Sequence, residues 1–214
     1  LRLGVLLYQA HLYKEALEAL KLLLEAEDEM ALKTAGAAAF CLRDWKKCVS
    51  YLERLDADKD ADVLLMLVQS YLAIPDTGKA EVAIKKLEKL SPDDYRVFAA
   101  YGCLYLLKSR FNESVASFKK AIEKGDNSAS TRLNLASALE RLEKYPEAIN
   151  YCEEALKLAP GDYATLLLLA SLYTKVSRYD EAEKILEEFL RLYPNSAGAP
   201  KAREALKALK ERKK

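Results

Sequence analysis

Apolar residues recur along almost the whole chain with the spacing of amphipathic helices. In the last full unit of this pattern, seven apolar residues fall on two successive helical faces: Leu166, Leu169, Ala170, Tyr173, Ala182, Leu186 and Phe189. Turn-forming residues at 177–179 separate the two faces, and Pro194 closes the second helix. The pattern therefore predicts one pair of helices in this unit.

The same helix pair repeats from the start of the chain. Short side chains mark one equivalent position in six successive units: Ala16, Cys48, Ala80, Ser114, Ala148 and Ala182. They are separated by 32, 32, 34, 34 and 34 residues. A unit of this length holds two helices, which must pack on neighbouring units to bury their apolar faces. We predict an all-α chain of thirteen helices, counted as six pairs plus a last helix from Pro200 to about Arg212, without strands.

Within each unit, aromatic or leucine residues, a small residue, alanine and a closing proline follow one another in a fixed order. This order resembles the tetratricopeptide repeat (TPR) family over nearly the whole chain. The resemblance implies a right-handed superhelix, or α-solenoid, of about six helix-turn-helix repeats over residues 1–194. The first repeat is truncated at its start. Residues 195–214 would form a C-terminal capping helix and a basic tail.

Two features qualify this expectation. The first three repeats are two residues shorter than the family's usual period, and the deletions fall in the acidic connections at 25–29 and 56–60. Because a shorter turn changes the rotation between units, we expect the N-terminal half to coil differently. The chain also opens at Leu1 inside a helical pattern, so we expect it to be a piece of a longer protein.

Charge and cysteine content narrow the class of function. Thirty-four basic and thirty-three acidic residues give a net charge of +1, which argues against a nucleic-acid-binding surface. The tail from residue 195 is basic but has no aromatic residue for base stacking. The four cysteines form no C-x-x-C pair, so we expect free thiols in the cytoplasm or another reducing intracellular compartment. No apolar stretch is long enough for membrane insertion.

The sequence offers no catalytic constellation. His11 is the only histidine, and its position in the repeat predicts an exposed turn residue before Tyr13 rather than a general base. The segment 76–79 lacks the spacing of a phosphate-binding loop. We therefore expect no enzymatic activity, no cofactor and no metal site in this chain.

The resemblance implies a concave groove lined by the first helix of each repeat. Its register assigns twelve residues to a partner-binding groove: Lys33, Phe40, Leu65, Gln69, Leu72, Arg96, Cys103, Leu106, Asn134, Arg141, Ser171 and Lys175. The middle of this set is apolar, and we expect Arg96, Arg141 and Lys175 to be free to meet acidic side chains. Several of the leucines could instead pack between adjacent first helices.

These residues favour a protein-binding scaffold or adaptor that holds a peptide or helix of a larger complex. We expect the ligand to be an amphipathic or apolar segment with acidic residues. It is not expected to be a chaperone tail, because the positions of the family's carboxylate clamp hold residues such as Thr34, Asp62 and Met66. Two alternatives remain open: a substrate-recognition or regulatory segment of a larger enzyme, and a self-assembling array or homo-oligomer.

Overall fold

A computed structural model describes residues 1–212. Within these residues the chain forms thirteen α-helices and one short 3₁₀ turn, and it contains no strand. The prediction of an all-α chain of six helix pairs and a final helix is confirmed. The chain divides into two compact units, Leu1–Lys108 and Ser109–Lys214, and each is described by itself.

The first unit contains three complete helix pairs and the first helix of a fourth. Its helices are α1 (Arg2–Gln9), α2 (Tyr13–Glu25), α3 (Glu29–Cys41), α4 (Trp45–Leu52), α5 (Ala61–Ala73), α6 (Thr77–Leu90) and α7 (Tyr95–Leu107), with the 3₁₀ turn at Ala57–Lys59. The second unit contains α8 (Phe111–Glu123), α9 (Ala129–Arg141), α10 (Tyr145–Leu158), α11 (Tyr163–Lys175), α12 (Tyr179–Leu192) and α13 (Ala199–Arg212).

Aspartates start most of the first helices. The carboxylate of Asp28 accepts a hydrogen bond from the backbone N–H of Ala31 at 2.8 Å, and Asp162 accepts one from Thr165 at the same distance. Such a cap satisfies one of the N–H groups that a helix start leaves without a partner. The regular spacing of these caps along the sequence fixes where each first helix begins.

Glycines allow the two helices of the first pairs to approach closely. A Cβ atom on Gly36 would lie only 2.2 Å from Cδ2 of Leu52, and one on Gly4 would lie 2.5 Å from Cγ of Leu20. Both leucines are fully buried. The small residues at these positions are therefore required because the partner helix places a leucine against the backbone.

The second repeat is shortened within its second helix. Helix α4 has 8 residues, whereas α2 and α6 have 13 and 14. After Leu52 the chain leaves the helix, and the guanidinium of Arg54 donates a hydrogen bond to the carbonyl oxygen of Leu24 in the preceding repeat at 2.6 Å. The shorter period of this repeat therefore comes from the shorter helix and not from the connection at 56–60, where we expected the deletion. The connection from α4 to α5, residues 53–60, is longer than the one from α2 to α3, residues 26–28.

Helix α13 packs along α12, as expected of a terminal helix. Ala202 and Leu209 are buried, and Leu206 is half-buried. Ala205 is exposed. Its position, three residues after Ala202 and four before Leu209, lies at the edge of the buried stripe.

Candidate ligand-binding cleft

A cleft of about 500 Å³ lies across the first helices of three consecutive repeats, α1, α3 and α5. The middle helix α3 contacts both of the others. The cleft is lined by Val5, Tyr8, Gln9, Met30, Lys33, Thr34, Ala37, Phe40, Asp62, Leu65, Met66 and Gln69. All of these residues belong to the first unit.

The lining follows from the repeat itself. Val5, Ala37 and Gln69 each stand eleven residues before the marker residue of their own repeat, so they occupy equivalent places on α1, α3 and α5. Along α3, lining residues recur three or four positions apart from Met30 to Phe40, which places them on one helical face. Most of these side chains are apolar, so the floor of the cleft is apolar.

Lys33, a cationic side chain that lines the cleft, is already neutralised. Its ammonium group contacts the carboxylate of Asp60 at 2.5 Å. Asp60 also caps α5 by accepting backbone hydrogen bonds from Asp62 and Val63. Partial burial acts to raise the pKa of Asp60, but these hydrogen bonds and the lysine outweigh it and lower that pKa. Lys33 therefore has a charged partner within the protein.

Three other polar side chains of the cleft are unengaged. Gln9, Asp62 and Gln69 are exposed, and their side chains form no hydrogen bond or ion pair with any of residues 1–212. The hydroxyl of Thr34, which also lines the cleft, is engaged, because it donates a hydrogen bond to the carbonyl oxygen of Met30 at 2.7 Å. The cleft thus combines an apolar floor with two free amides and one free carboxylate.

Four of the twelve residues predicted for the groove come together in this cleft: Lys33, Phe40, Leu65 and Gln69. Leu65 is buried, and Phe40 is half-buried with its ring against Trp45. Leu65 also belongs to the core between the second and third repeats, and Leu72 on the same helix packs against that core. The alternative that some of these leucines pack between helices therefore applies to both.

The expectation that Arg96 is free for an acidic partner is wrong. Its guanidinium forms hydrogen bonds with both carboxylate oxygens of Asp94, at 2.6 to 3.0 Å. These bonds raise the pKa of Arg96 and lower that of Asp94. Asp94 caps α7 and lies only two residues away, so the arginine folds back onto its own helix start. Cys103 and Leu106 are half-buried on the same helix.

The other two cations also have partners, in the second unit. Lys175 contacts the carboxylate of Glu140 at 2.8 Å and lies 5.2 Å from the ring centre of Tyr145. The guanidinium of Arg141 lies 5.1 Å from the ring centre of Phe111. Both cations therefore have internal contacts that an acidic ligand would have to displace. Of the remaining predicted residues, Ser171 is exposed on α11 and Asn134 is half-buried on α9.

Eight of the twelve residues that line the cleft are absent from the predicted set: Val5, Tyr8, Gln9, Met30, Thr34, Ala37, Asp62 and Met66. Val5 and Met66 line the cleft, as do the free polar residues Gln9 and Asp62. The repeat register could have identified some of them, because Val5 occupies the same position of its repeat as Ala37 and Gln69, and Asp62 the same position as Met30. Treating the first repeat as truncated hid its contribution.

The histidine is a turn residue, as the repeat predicts. His11 is exposed, with a positive φ of 61°, and its Nδ1 lies 2.7 Å from the hydroxyl of Tyr13. Equivalent turns hold Arg43 and Ser109 with φ near 57°, so the left-handed conformation at the end of the first helix belongs to the repeat. Within residues 1–212, no group of three or more potential ligand side chains could hold a metal ion.

Sequence-family models of the tetratricopeptide repeat match residues 95–123 and 127–195. The chain is a tetratricopeptide repeat protein. A sequence search of curated proteins finds no match. Among the helices at 1–212, none combines the length and apolar character that a membrane span requires.

Solved structures carry the same fold across the rest of the chain. The APC/C hetero-tetramer Cut9–Hcn1 matches with a TM-score of 0.79 at 18% identity, over 97% of this chain and 41% of that one. Pseudomonas aeruginosa pilF matches with a TM-score of 0.73 at 20% identity, over 95% and 94%. A thermophilic TPR protein of Thermus thermophilus matches with a TM-score of 0.69 at 19% identity, over 84% of this chain and 99% of that one. The prediction of an all-α solenoid of TPR repeats is confirmed.

Proposed function

We propose that this TPR protein is an interaction scaffold that binds a segment of a partner protein in the cleft across α1, α3 and α5. The observation that carries the proposal is the cleft itself: it is apolar at its floor, it has a volume of about 500 Å³, and free polar groups line it. Binding sites for peptides and small ligands combine an apolar lining with a few placed polar groups in roughly 300–1,000 Å³.

The comparisons support a scaffold of this kind. One of the similar structures is the hetero-tetramer Cut9–Hcn1 of the APC/C. This chain spans 41% of the length of that one, so membership of a larger complex or attachment to an enzyme elsewhere in a longer protein is part of the proposal. TPR repeats carry many unrelated functions, and the cleft is the basis for the assignment here.

A charged side chain introduced at the centre of the cleft by substitution tests the proposal. A random peptide library displayed on phage would be panned on the wild-type protein, and the enriched clones would be tested on Ala37→Glu. Ala37 is half-buried on α3 and lines the cleft, so the glutamate should weaken binding at least thirtyfold, as expected for a central contact. The matched control is Ala116→Glu, an exposed position on α8. Clones that bind both variants equally, or no enrichment at all, would contradict the cleft as a binding site.

Self-association is a second candidate, favoured by the apolar edge of the first helix pair. Leu3 and Leu6 on α1 are 63% and 60% exposed, and Leu22 on α2 is 78% exposed. Two copies that pack these leucines together would remove that surface from water. Light scattering should then give twice the chain's mass, and Leu3→Ser with Leu6→Ser should return it to 24 kDa. A wild-type mass of one chain at high protein concentration would rule this candidate out.

A further inference from the structure

The chemistry of the ligand can be read from the unengaged groups of the cleft, and this inference rests on the proposed function. Lys33 and Thr34 are satisfied within the protein. The side chains of Gln9, Asp62 and Gln69 form no hydrogen bond or ion pair with any of residues 1–212, although they line the same cleft. A bound ligand is therefore expected to engage the amides and the carboxylate rather than the lysine.

The two amides sit on opposite walls. Gln9 is on α1 and Gln69 on α5, and α3 lies between these helices. Each side-chain amide has a donor and an acceptor, which match the C=O and N–H of a peptide unit. An extended peptide offers such groups along its length, whereas the backbone groups of a helix are already bonded to one another. Two amides on opposite walls thus favour an extended ligand over a helical one.

The free carboxylate determines the charge of the ligand. Asp62 is exposed and forms no ion pair. Its two nearby cations are already paired, Lys33 with Asp60 and Arg96 with Asp94, so the net charge of these groups is negative. Asp62 lies two helical turns from Gln69 on α5, which corresponds to about 10 Å. An extended chain advances about 3.3 Å per residue. A cation on the ligand would therefore lie about three residues from the part held by Gln69.

We propose that the cleft binds an extended peptide that places a large apolar side chain on the floor beside Ala37 and Met66. Gln9 and Gln69 hydrogen-bond its main chain, and Asp62 pairs with a lysine or arginine about three residues from the part that Gln69 holds. The expected ligand is thus basic rather than acidic. The acidic segment expected from the sequence required free cations, and in this cleft the only lysine is paired.

The composition of the enriched peptides gives the first test. Phage-displayed random 12-residue peptides selected on the wild-type protein should share one large apolar residue and a lysine or arginine within three positions of it, because Met66 lies between Asp62 and Gln69 on α5. An enriched consensus of apolar residues spaced three and four apart would indicate an amphipathic helix and would overturn the proposal, as would an acidic consensus. Neither of these outcomes would affect the proposed function, provided that Ala37→Glu abolishes binding.

Charge reversal tests Asp62. The affinity of a synthetic peptide with the enriched sequence, measured by fluorescence anisotropy, should fall at least tenfold with Asp62→Lys. A peptide with glutamate in place of the cation should bind Asp62→Lys better than it binds the wild type. The control is Glu25→Lys, an exposed charge at the end of α2 outside the cleft. Equal binding of the basic peptide to the wild type and Asp62→Lys would overturn the pairing.

Removal of the amides tests the extended backbone. Gln69→Leu and Gln9→Leu should each weaken the same peptide about three- to tenfold, as for loss of a hydrogen bond. Methylation of the peptide nitrogen that bonds to Gln69 should weaken binding to the wild type by a similar factor. It should not weaken binding to Gln69→Leu any further. Asn150→Leu, at an exposed site on α10, is the control. If neither leucine variant weakens binding while Ala37→Glu still abolishes it, the extended mode is overturned and the proposed function is not.

Discussion

The hydroxyl of Tyr71 donates a hydrogen bond to the carboxylate of Glu53 at 2.7 Å, and Tyr173 donates one to Glu153 at 2.6 Å. The two pairs occupy equivalent positions in their repeats, although 18 residues separate the first pair and 20 the second. In both cases the tyrosine is on a first helix and the glutamate belongs to the preceding repeat. The two missing residues of the shortened repeat therefore lie between Glu53 and Tyr71, and the contact between repeats is retained.

Removing the Tyr71 hydroxyl should destabilise the protein in a pH-dependent way. Hydrogen bonds from Lys79 and Tyr71 lower the pKa of Glu53 despite its partial burial. A lowered carboxyl pKa adds stability above the unfolded value of about 4.3, and this stability is lost as pH falls through the folded value. We expect Tyr71→Phe to cost about 1 kcal/mol at pH 7 and much less at pH 3, measured by urea denaturation.

The control for this variant is Tyr95→Phe, because Tyr95 is 39% exposed and its hydroxyl has no partner among residues 1–212. Its free energy of unfolding should stay within about 0.5 kcal/mol of the wild type at both pH values. If Tyr71→Phe lowers the free energy of unfolding equally at pH 3 and pH 7, the hydrogen bond to ionised Glu53 is not the cause of the destabilisation.

Gly36→Ala should destabilise although alanine is the better helix former. The new Cβ would lie 2.2 Å from Cδ2 of buried Leu52, and overpacking of this kind costs about 1–3 kcal/mol. Gly78→Ala is the matched change, since the nearest atom to its Cβ would be 3.7 Å away, and it should stabilise by about 0.5–1 kcal/mol. If the melting temperatures of both variants shift in the same direction, the inference that α3 and α4 approach closely at Gly36 is wrong.

The buried thiol of Cys152 should make the protein sensitive to alkaline pH. Burial raises its pKa from 9.0 to about 12. As pH rises above about 9, the unfolded chain loses the proton but the folded chain keeps it, so stability falls by about 1.4 kcal/mol per pH unit. Cys152→Ala should remove this contribution between pH 9 and 10.5 and leave that of Cys48, whose pKa burial also raises, whereas Cys41→Ala, at an exposed thiol, should leave the slope unchanged. The measurement is the unfolding free energy at each pH.

Helix α13 should prove to be a cap for the last repeat. Leu209 is buried against α12, and Ala208 beside it is exposed. We expect Leu209→Asp to release the helix, expose the apolar surface of α12 and cause association seen by sedimentation. Ala208→Asp should remain unchanged in mass and stability. A Leu209→Asp protein that stays monomeric with an unaltered melting temperature would contradict the capping role.

The positions of the helices follow from the sequence because they depend on local and periodic information. The small residue at position 36 is of this kind, since the register places Leu52 of the second helix opposite it. Pairing of charges is different. The repeat register places Arg96 and Lys33 on first helices, but it does not show that Asp94 folds the first back or that Asp60, 27 residues away, neutralises the second.

The early end of α4 could not be predicted for a similar reason. Residues 53–55 include good helix formers, and only the folded chain shows what competes for them. Glu53 accepts hydrogen bonds from Tyr71 and Lys79, and Arg54 reaches the carbonyl oxygen of Leu24. These contacts with neighbouring repeats replace the last turns of the helix.

The chain contains only two methionines, and both line the cleft. Met30 is 54% exposed and Met66 is half-buried, so peroxide can reach the sulfur of Met30 without unfolding the protein. Oxidation to the sulfoxide turns a flexible apolar side chain into a polar one. Oxidation of Met30 would thus make the lining of the cleft more polar, and methionine sulfoxide reductases would restore its apolar character.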